Sequence, residues 1–269
     1  MTYSRTTVRP IKKEFTMQKE FSGKTVLITG GSRGLGAGLA QAFAERGADV
    51  AISYANSSAK AEAVVDRLKA SGVRAIAVHS DQSDLAAAQP LVDRVIAQFG
   101  KLDIVVNNAG IAVQGQLVDD PDFNAPDNNH QWQVNVMGVV ATTRAAAAKL
   151  TDGGRIIFIG SRFGTHVPVP GVADYAGTKA ALIGYAKGAA RDLGPRNITV
   201  NVVQPGVMPT DMSDAMLGDP DARAAILDLH PIRRIATLEE VAETVCFLAG
   251  PSGSYITGEV LSVSGGAAI

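Results

Sequence analysis

Tyr175 and Lys179 stand four residues apart. In a helix that spacing puts both side chains on one face. A tyrosine hydroxyl ordinarily titrates near ~10, too high for easy proton exchange at neutral pH, and an adjacent ammonium favours the phenolate and lowers that value. The pair can therefore give and take a proton, although a lone Tyr-x-x-x-Lys is more often a surface pair. A second group lies far upstream, in Thr29-Gly30-Gly31-Ser32-Arg33-Gly34-Leu35-Gly36. Glycines there let the backbone turn tightly and come close to a pyrophosphate, and the helix that opens afterwards offers free N–H groups and a positive dipole end. The spacing, with Gly30, Gly34 and Gly36 as its fixed points, differs from the common G-x-G-x-x-G.

The elements that must hold these groups alternate along the chain. Short β-branched runs at 25–29, 50–54, 74–78, 104–107, 155–160, 199–203 and 260–263 read as strands. Amphipathic stretches such as 35–45, 59–70 and 91–99 read as the helices between them. Strands apolar on both faces and joined by helices imply a parallel sheet covered on both sides. Right-handed crossovers make it a doubly wound, Rossmann-type α/β domain with a mostly parallel seven-stranded sheet. The spacing then places Ser161 at a strand end, where such sheets open their crevice. Two segments break the rhythm. Residues 113–129 read as a polar surface loop before a helix around 132–149; the acids in the loop fit no calcium-binding spacing. Residues 209–230 read either as a lid over an apolar pocket or as a packed surface helix.

Taken in order, these motifs resemble the short-chain dehydrogenase/reductase family over roughly residues 21–269. The resemblance rests on Thr29-Gly30-x-x-x-Gly34-x-Gly36, Asn107-Asn108-Ala109-Gly110, Asn135, Ser161, Tyr175-x-x-x-Lys179, and Pro205-Gly206 with Thr210 beyond. The stretch 173–205 is most similar to bacterial 3-oxoacyl-carrier-protein reductases and related ketoreductases. Departures are a somewhat long 113–129 loop, Gln82 where an aliphatic residue is common, and Pro209 before Thr210; they touch the pocket rim and the cofactor edge. The resemblance implies a ketone/alcohol oxidoreductase. Tyr175 would be the proton donor and Ser161 would bond the substrate carbonyl. Lys179 would support the phenolate and bind the nicotinamide ribose, and Asn135 would hold a water that relays protons to solvent. It implies cofactor contacts from Gly30, Ser32, Gly34, Leu35, Gly36, Asp81, Gln82, Asn108, Ala109, Gly110, Tyr175, Lys179, Pro205, Gly206, Met208 and Thr210. Asp81 could equally cap the next helix. Singly, a serine after a strand is usually a turn or cap and an asparagine in a helix faces solvent; it is their joint occurrence that points to a site.

The nicotinamide is expected to be NADP(H). An NAD enzyme usually ends its second strand with an acid that bonds the adenosine ribose. Here the segment reads Val50-Ala51-Ile52-Ser53-Tyr54-Ala55-Asn56-Ser57, without one. Arg33 offers a planar fork of donors to a 2′-phosphate, and Asn56 and Ser57 add neutral hydrogen bonds. Phe163, Met208, Met212 and Met216, with Val113 and Val167, suggest an apolar, adaptable substrate pocket. His130 and His230 read as loop or surface residues. A nucleotide-binding regulator without turnover is the rival on the same fold; the complete Asn135, Ser161, Tyr175 and Lys179 set argues against it.

Composition narrows the remaining classes. The 269 residues carry a net charge of -1 and 5% aromatics, giving no basic surface for nucleic acid and few stacking platforms. No apolar run reaches the ~18–20 residues that span a bilayer, and no apolar block follows the N-terminal basic residues. We expect a cytoplasmic protein with a flexible extension at 1–20 and one domain at 21–269, and no metal site. The single Cys246 reads as a buried small hydrophobe. Helices poor in charge after Asn129 and Val172, together with an apolar glycine-rich C-terminus, suggest a homo-oligomer. The family resemblance makes that a tetramer.

Overall fold

The computed structural model describes residues 19–268, so the expected N-terminal extension lies outside the described residues except for Lys19 and Glu20. Seven parallel strands form one sheet in the order β3-β2-β1-β4-β5-β6-β7. They are β1 (Thr25–Ile28), β2 (Asp49–Tyr54), β3 (Ala75–His79), β4 (Ile104–Asn107), β5 (Arg155–Ile159), β6 (Thr199–Pro205) and β7 (Val260–Val263). The helices are α1 (Gly34–Glu45), α2 (Ser58–Ala70), α3 (Ala88–Phe99), α4 (Ala125–Trp132), α5 (Gly138–Ala147), α6 (Ala173–Leu193), α7 (Asp214–Gly218), α8 (Pro220–Asp228) and α9 (Leu238–Ala249).

Alternation along the strands sorts the core into two layers. Val26, Ile28, Val50, Ile52 and Ile104 pack with Leu39, Phe43, Val64 and Val245 of α1, α2 and α9. Their neighbours Leu27, Ala51 and Val105 pack on the opposite face with Leu91, Val139 and Leu182 of α3, α5 and α6. A strand buried on both faces is apolar at nearly every position, which is why these runs read continuously rather than alternating. Cys246 sits in the first layer, 2% exposed, and burial pushes its thiol up to about 12. It therefore stays a thiol at neutral pH.

The strand order reverses between β1 and β4, each hydrogen-bonded to the other while their onward crossovers lead to opposite edges. The crevice at that switch point is where a doubly wound sheet binds ligands. Two expected elements differ in extent. The loop from residue 113 gives way to helix five residues early, at Ala125, because Asn124 accepts a hydrogen bond from the Asp127 N–H at 3.1 Å and Pro126 occupies the first turn. The helix expected around 132–149 is divided by a π turn at Gln133–Met137, between α4 and α5. Residues 209–230 form α7 and α8, neither of which has a fully buried residue.

Candidate active site

The loop after β1 is shaped by close approaches. Gly30 has φ +65°, and a Cβ there would lie 2.9 Å from Ala109 Cα. A Cβ on Gly36 would lie 2.3 Å from the Gly30 carbonyl oxygen and 2.6 Å from Asn108 Nδ2. Larger residues would push the loop and the β4 end apart. Asn108 stitches the two together, donating from Nδ2 to the carbonyls of Thr29 at 2.9 Å and Gly30 at 3.1 Å. The Thr29 hydroxyl accepts from the N–H groups of Asn108 and Ala109, both at 3.0 Å, and Ser53 Oγ accepts from Gly30 N at 3.3 Å. The sequence marks Thr29 only as the first residue of the loop motif, with no role, and does not single out Ser53. Their signal was position alone, a hydroxyl at or near a strand's C-terminal end beside the glycine loop.

The loop floors a cleft of about 850 Å³. Every residue expected to touch the cofactor lines it: Gly30, Ser32, Arg33, Gly34, Leu35, Gly36, Asn56, Ser57, Asp81, Gln82, Asn108, Ala109, Gly110, Pro205, Gly206, Met208 and Thr210, with Tyr175 and Lys179. Phe163, Met212 and Met216 also line it, whereas Val113 and Val167 do not; Val113 borders a separate small depression. Ile226 and Leu229 join the apolar wall and were not anticipated. His130 is exposed on α4 and lines the cleft. His230 is not the surface residue expected: it is 3% exposed, with Nδ1 2.7 Å from the Ile226 carbonyl oxygen. Its ring fills the space beside Gly206 and Gly265, next to the glycine-rich C-terminal turn.

The reactive groups meet on one wall. Tyr175 lies in the first turn of α6, and Lys179 follows one turn later on the same face. Tyr175 is 7% and Lys179 6% exposed, so this is no surface pair. Lys179 Nζ is 5.8 Å from the centre of the Tyr175 ring and donates to the Ile159 carbonyl at 3.1 Å. Burial lowers its ammonium to about 8. Burial raises the Tyr175 phenol above its ordinary value, and interaction with the Ser161 hydroxyl pulls the other way. Ser161 leaves the end of β5 and accepts from Phe163 N at 3.2 Å, while the Phe163 ring stands edge-on to Tyr175 at 6.2 Å.

Asn135 does not line the cleft. It is 1% exposed within the π turn, and its amide clamps Ile111, accepting from the backbone N at 2.9 Å and donating to the carbonyl at 2.9 Å. It also donates to Thr178 Oγ1 at 3.2 Å, joining the β4 loop to α6. A π turn widens the helix locally and is frequent where a side chain must be re-aimed. Trp132 Nε1 donates to Asp174 Oδ1 at 2.7 Å, fixing the start of α6 just before Tyr175.

A nicotinamide dinucleotide phosphate suits this cleft on three counts. The glycine loop leaves bare backbone where a Cβ would intrude. Gln82 Nε2 is a buried donor without a protein partner, and Gln82 lines the cleft beside Asp81. Arg33 lines it too, with no acid at the end of β2. Asp81 Oδ1 accepts from Ser83 N and Ser83 Oγ, both at 2.8 Å, and these bonds hold its carboxyl below the usual range. Arg33 is not free: its Nη1 lies 3.4 Å from Asp211 Oδ2, and both side chains are 58% exposed. Among the described residues, no cluster of His, Cys, Asp and Glu could hold a metal ion, and no helix is long and apolar enough to cross a membrane.

Comparison with known proteins agrees with this geometry. A family model described as enoyl-(acyl carrier protein) reductase matches residues 30–268. The cyclic-di-GMP-binding biofilm dispersal mediator protein of Escherichia coli strain K12 is 42% identical over 245 residues, 91% of this chain and 97% of that protein. A 3-oxoacyl-[acyl-carrier-protein] reductase of Staphylococcus aureus strain Mu50 is 39% identical, over 90% of this chain and 97% of that one. A short-chain dehydrogenase of Burkholderia cenocepacia J2315, solved in complex with NADP, superposes with a TM-score of 0.87 at 45% identity, covering 93% of this chain and 100% of that one. The chain belongs to the short-chain dehydrogenase/reductase family.

Proposed function

We propose that the protein is an NADP(H)-dependent carbonyl reductase that interconverts a ketone and a secondary alcohol, with Tyr175 as general acid and base. The observation that carries this reading is the buried Tyr175–Lys179 pair opening onto the same cleft as Ser161 and the glycine loop. The nicotinamide, when bound, supplies or accepts the hydride. Gly30, Gly36 and the N-terminus of α1 hold its diphosphate. Arg33, Asn56 and Ser57 recognise the 2′-phosphate, and Gln82 and Asp81 the adenine end. Lys179 holds the nicotinamide ribose. Tyr175 gives its phenolic proton to the carbonyl oxygen during reduction and recovers it during oxidation. Ser161 donates a hydrogen bond to that oxygen as charge develops on it. The Lys179 ammonium favours the phenolate left behind. Asn135 keeps Ile111 and the adjoining cofactor-binding backbone in place. The apolar wall and the buried catalytic pair exclude water from the reacting oxygen.

Tyr175→Phe tests the reading because it keeps the ring against Phe163 and deletes only the hydroxyl that donates the proton. NADPH binding by fluorescence titration should be nearly unchanged. Ketone-dependent NADPH oxidation should fall by ~10²–10⁴, the usual range for general acid–base catalysis. Near-native turnover in a folded variant would overturn the assignment.

The relative named for cyclic-di-GMP binding favours a second reading, a nucleotide-binding regulator. Titration with cyclic-di-GMP alongside a panel of ketones separates the two: saturable binding without ketone turnover would establish the regulator. The assembly belongs to the same proposal. Phe247 on α9 is 45% exposed, Met137 44% and Tyr255 fully so, consistent with a homotetramer that covers them. The working compartment on this reading is the cytoplasm.

A further inference from the structure

The substrate end of the cleft has a chemistry of its own. Its wall is built from Phe163, Val169, Val172, Met212, Met216 and Leu229. Three cations also line the cleft, and none is offered to a substrate there. Arg33 belongs to the cofactor loop and pairs with Asp211. Arg162 is 3% exposed, lies 4.7 Å over the Phe163 ring and donates to the Ala267 carbonyl at 3.2 Å. Lys179 turns its ammonium back to Ile159. Among the described residues, His130 is the one other basic side chain on the lining.

The two stretches that flank this end are acidic. Residues 113–132 carry Asp119, Asp120, Asp122 and Asp127 and no lysine or arginine. Residues 208–229 carry Asp211, Asp214, Asp219, Asp221 and Asp228 against Arg223 alone. Among the described residues, two of these nine have a cationic partner, Asp211 in Arg33 and Asp228 in Arg233. The others are exposed or half-exposed and meet backbone or neutral groups where they are bonded, as Asp219 does in capping α8 and Asp127 does with Asn124. Of the nine, Asp211 lines the cleft itself and the others lie on the segments that flank it, where surface charge acts over the ~8 Å screening distance of physiological salt. An anion approaching the mouth is slowed and a neutral molecule is not. An anion that entered would find apolar walls and, among the described residues, no free cation with which to pair.

We infer that the substrate is an uncharged, largely apolar ketone taken free from solution, and that carbonyl groups tethered to an anionic carrier are selected against. This rests on the carbonyl-reductase reading and departs from what similarity to carrier-protein reductases alone would suggest. The flexible thioethers of Met212 and Met216 suit such a ligand, since they repack around varied apolar shapes.

The test offers the NADPH-loaded protein one acyl group on two carriers. The 3-oxobutanoyl thioester of N-acetylcysteamine is neutral; that of coenzyme A carries phosphates. Initial rates of NADPH oxidation give kcat/KM for each. Calorimetric titration with the non-reducible butanoyl thioesters gives binding. At low ionic strength the neutral carrier should be favoured by about tenfold or more in both readouts, and the gap should shrink as salt screens the rim. Replacing Asp214 and Asp221 together by Asn should narrow it at low salt without changing the rate on the neutral ester. Equal or better binding and reduction of the coenzyme A thioester at low salt would sink the inference. If neither the thioesters nor any of the panel of neutral ketones is reduced while the neutral thioester still binds preferentially, the reductase reading fails and the preference for an uncharged ligand stands.

Discussion

Burial lowers the Lys179 ammonium from an ordinary 10.5 to about 8, because no carboxylate accompanies it into the wall of the cleft. The charge that supports the Tyr175 phenolate is complete below that value and is lost as pH rises through it. We therefore expect kcat/KM for reduction to decline above about pH 8. A pH–rate profile flat to pH 10 would show that Lys179 does not act through its charge. The same shift makes an opposite statement about folding. Between the two values the unfolded chain binds the proton that the folded chain has released, so the contribution of this group to stability rises with pH there. Arg33 presents a competition decided by magnitudes. Its pairing with Asp211 is exposed, and such pairs contribute at most ~1 kcal/mol. A charge-assisted bond to a phosphate contributes ~1.5–3 kcal/mol. Exchange of Asp211 for a 2′-phosphate is thus favourable. Arg33→Ala should weaken NADPH by roughly tenfold while sparing NADH, measured as the two dissociation constants; equal losses for both would remove Arg33 from phosphate recognition.

At the scale of elements, placement of the site depends on a few joints. Asn108 and Thr29 bind β4 to the glycine loop, Asn135 binds the loop after β4 to α6, and the Trp132–Asp174 bond holds the start of α6. These joints explain why Tyr175 and Ser161 can meet although one leaves a helix start and the other a strand end. Helix α9 is positioned differently, by a reciprocal cap. Glu240 N donates to Thr237 Oγ1 at 3.2 Å and Thr237 N to Glu240 Oε2 at 2.9 Å. Arg234, hydrogen-bonded to the same carboxylate, is the largest cause that takes Glu240 down to about 2. Because α9 packs Val241 and Val245 into the layer that also holds α1, its cap matters beyond its own first turn. Thr237→Ala should lower the unfolding free energy by ~0.5–2 kcal/mol in urea titration, with turnover retained at temperatures where the protein remains folded. No change in the denaturation midpoint would mean that packing alone holds the start of α9.

For the whole molecule, one sheet with two apolar layers gives a rigid frame, and the faces left over ask for a partner. Gly184 and Gly188 on α6 meet nothing where a Cβ would stand, so this helix presents a smooth face against which another helix can pack closely. With Phe247 and Tyr255 exposed elsewhere, sedimentation equilibrium at micromolar concentration should report a tetramer. A monomer under those conditions would refute the assembly.

Period and punctuation make the architecture legible in the sequence itself. Runs apolar on both faces, separated by amphipathic stretches, already demanded a covered parallel sheet, and the strands lie within two residues of where the pattern put them. The glycine loop and the Tyr175–Lys179 spacing were legible because each depends on neighbours in sequence. What depended on distant contacts was not. His230 reads as surface until Gly206 and Gly265 close beside its ring, and Val113 reads as pocket until its loop turns it to another depression. The π turn that buries Asn135 left no periodic mark strong enough to interrupt a helix. The partner of Arg33, 178 positions away at Asp211, belongs to a different flank of the cleft. Local steric preference and strand burial act through adjacent residues and so are written in order along the chain. The pairing of charges across a cleft and the filling of space beside a glycine are settled only when remote segments compete for the same volume.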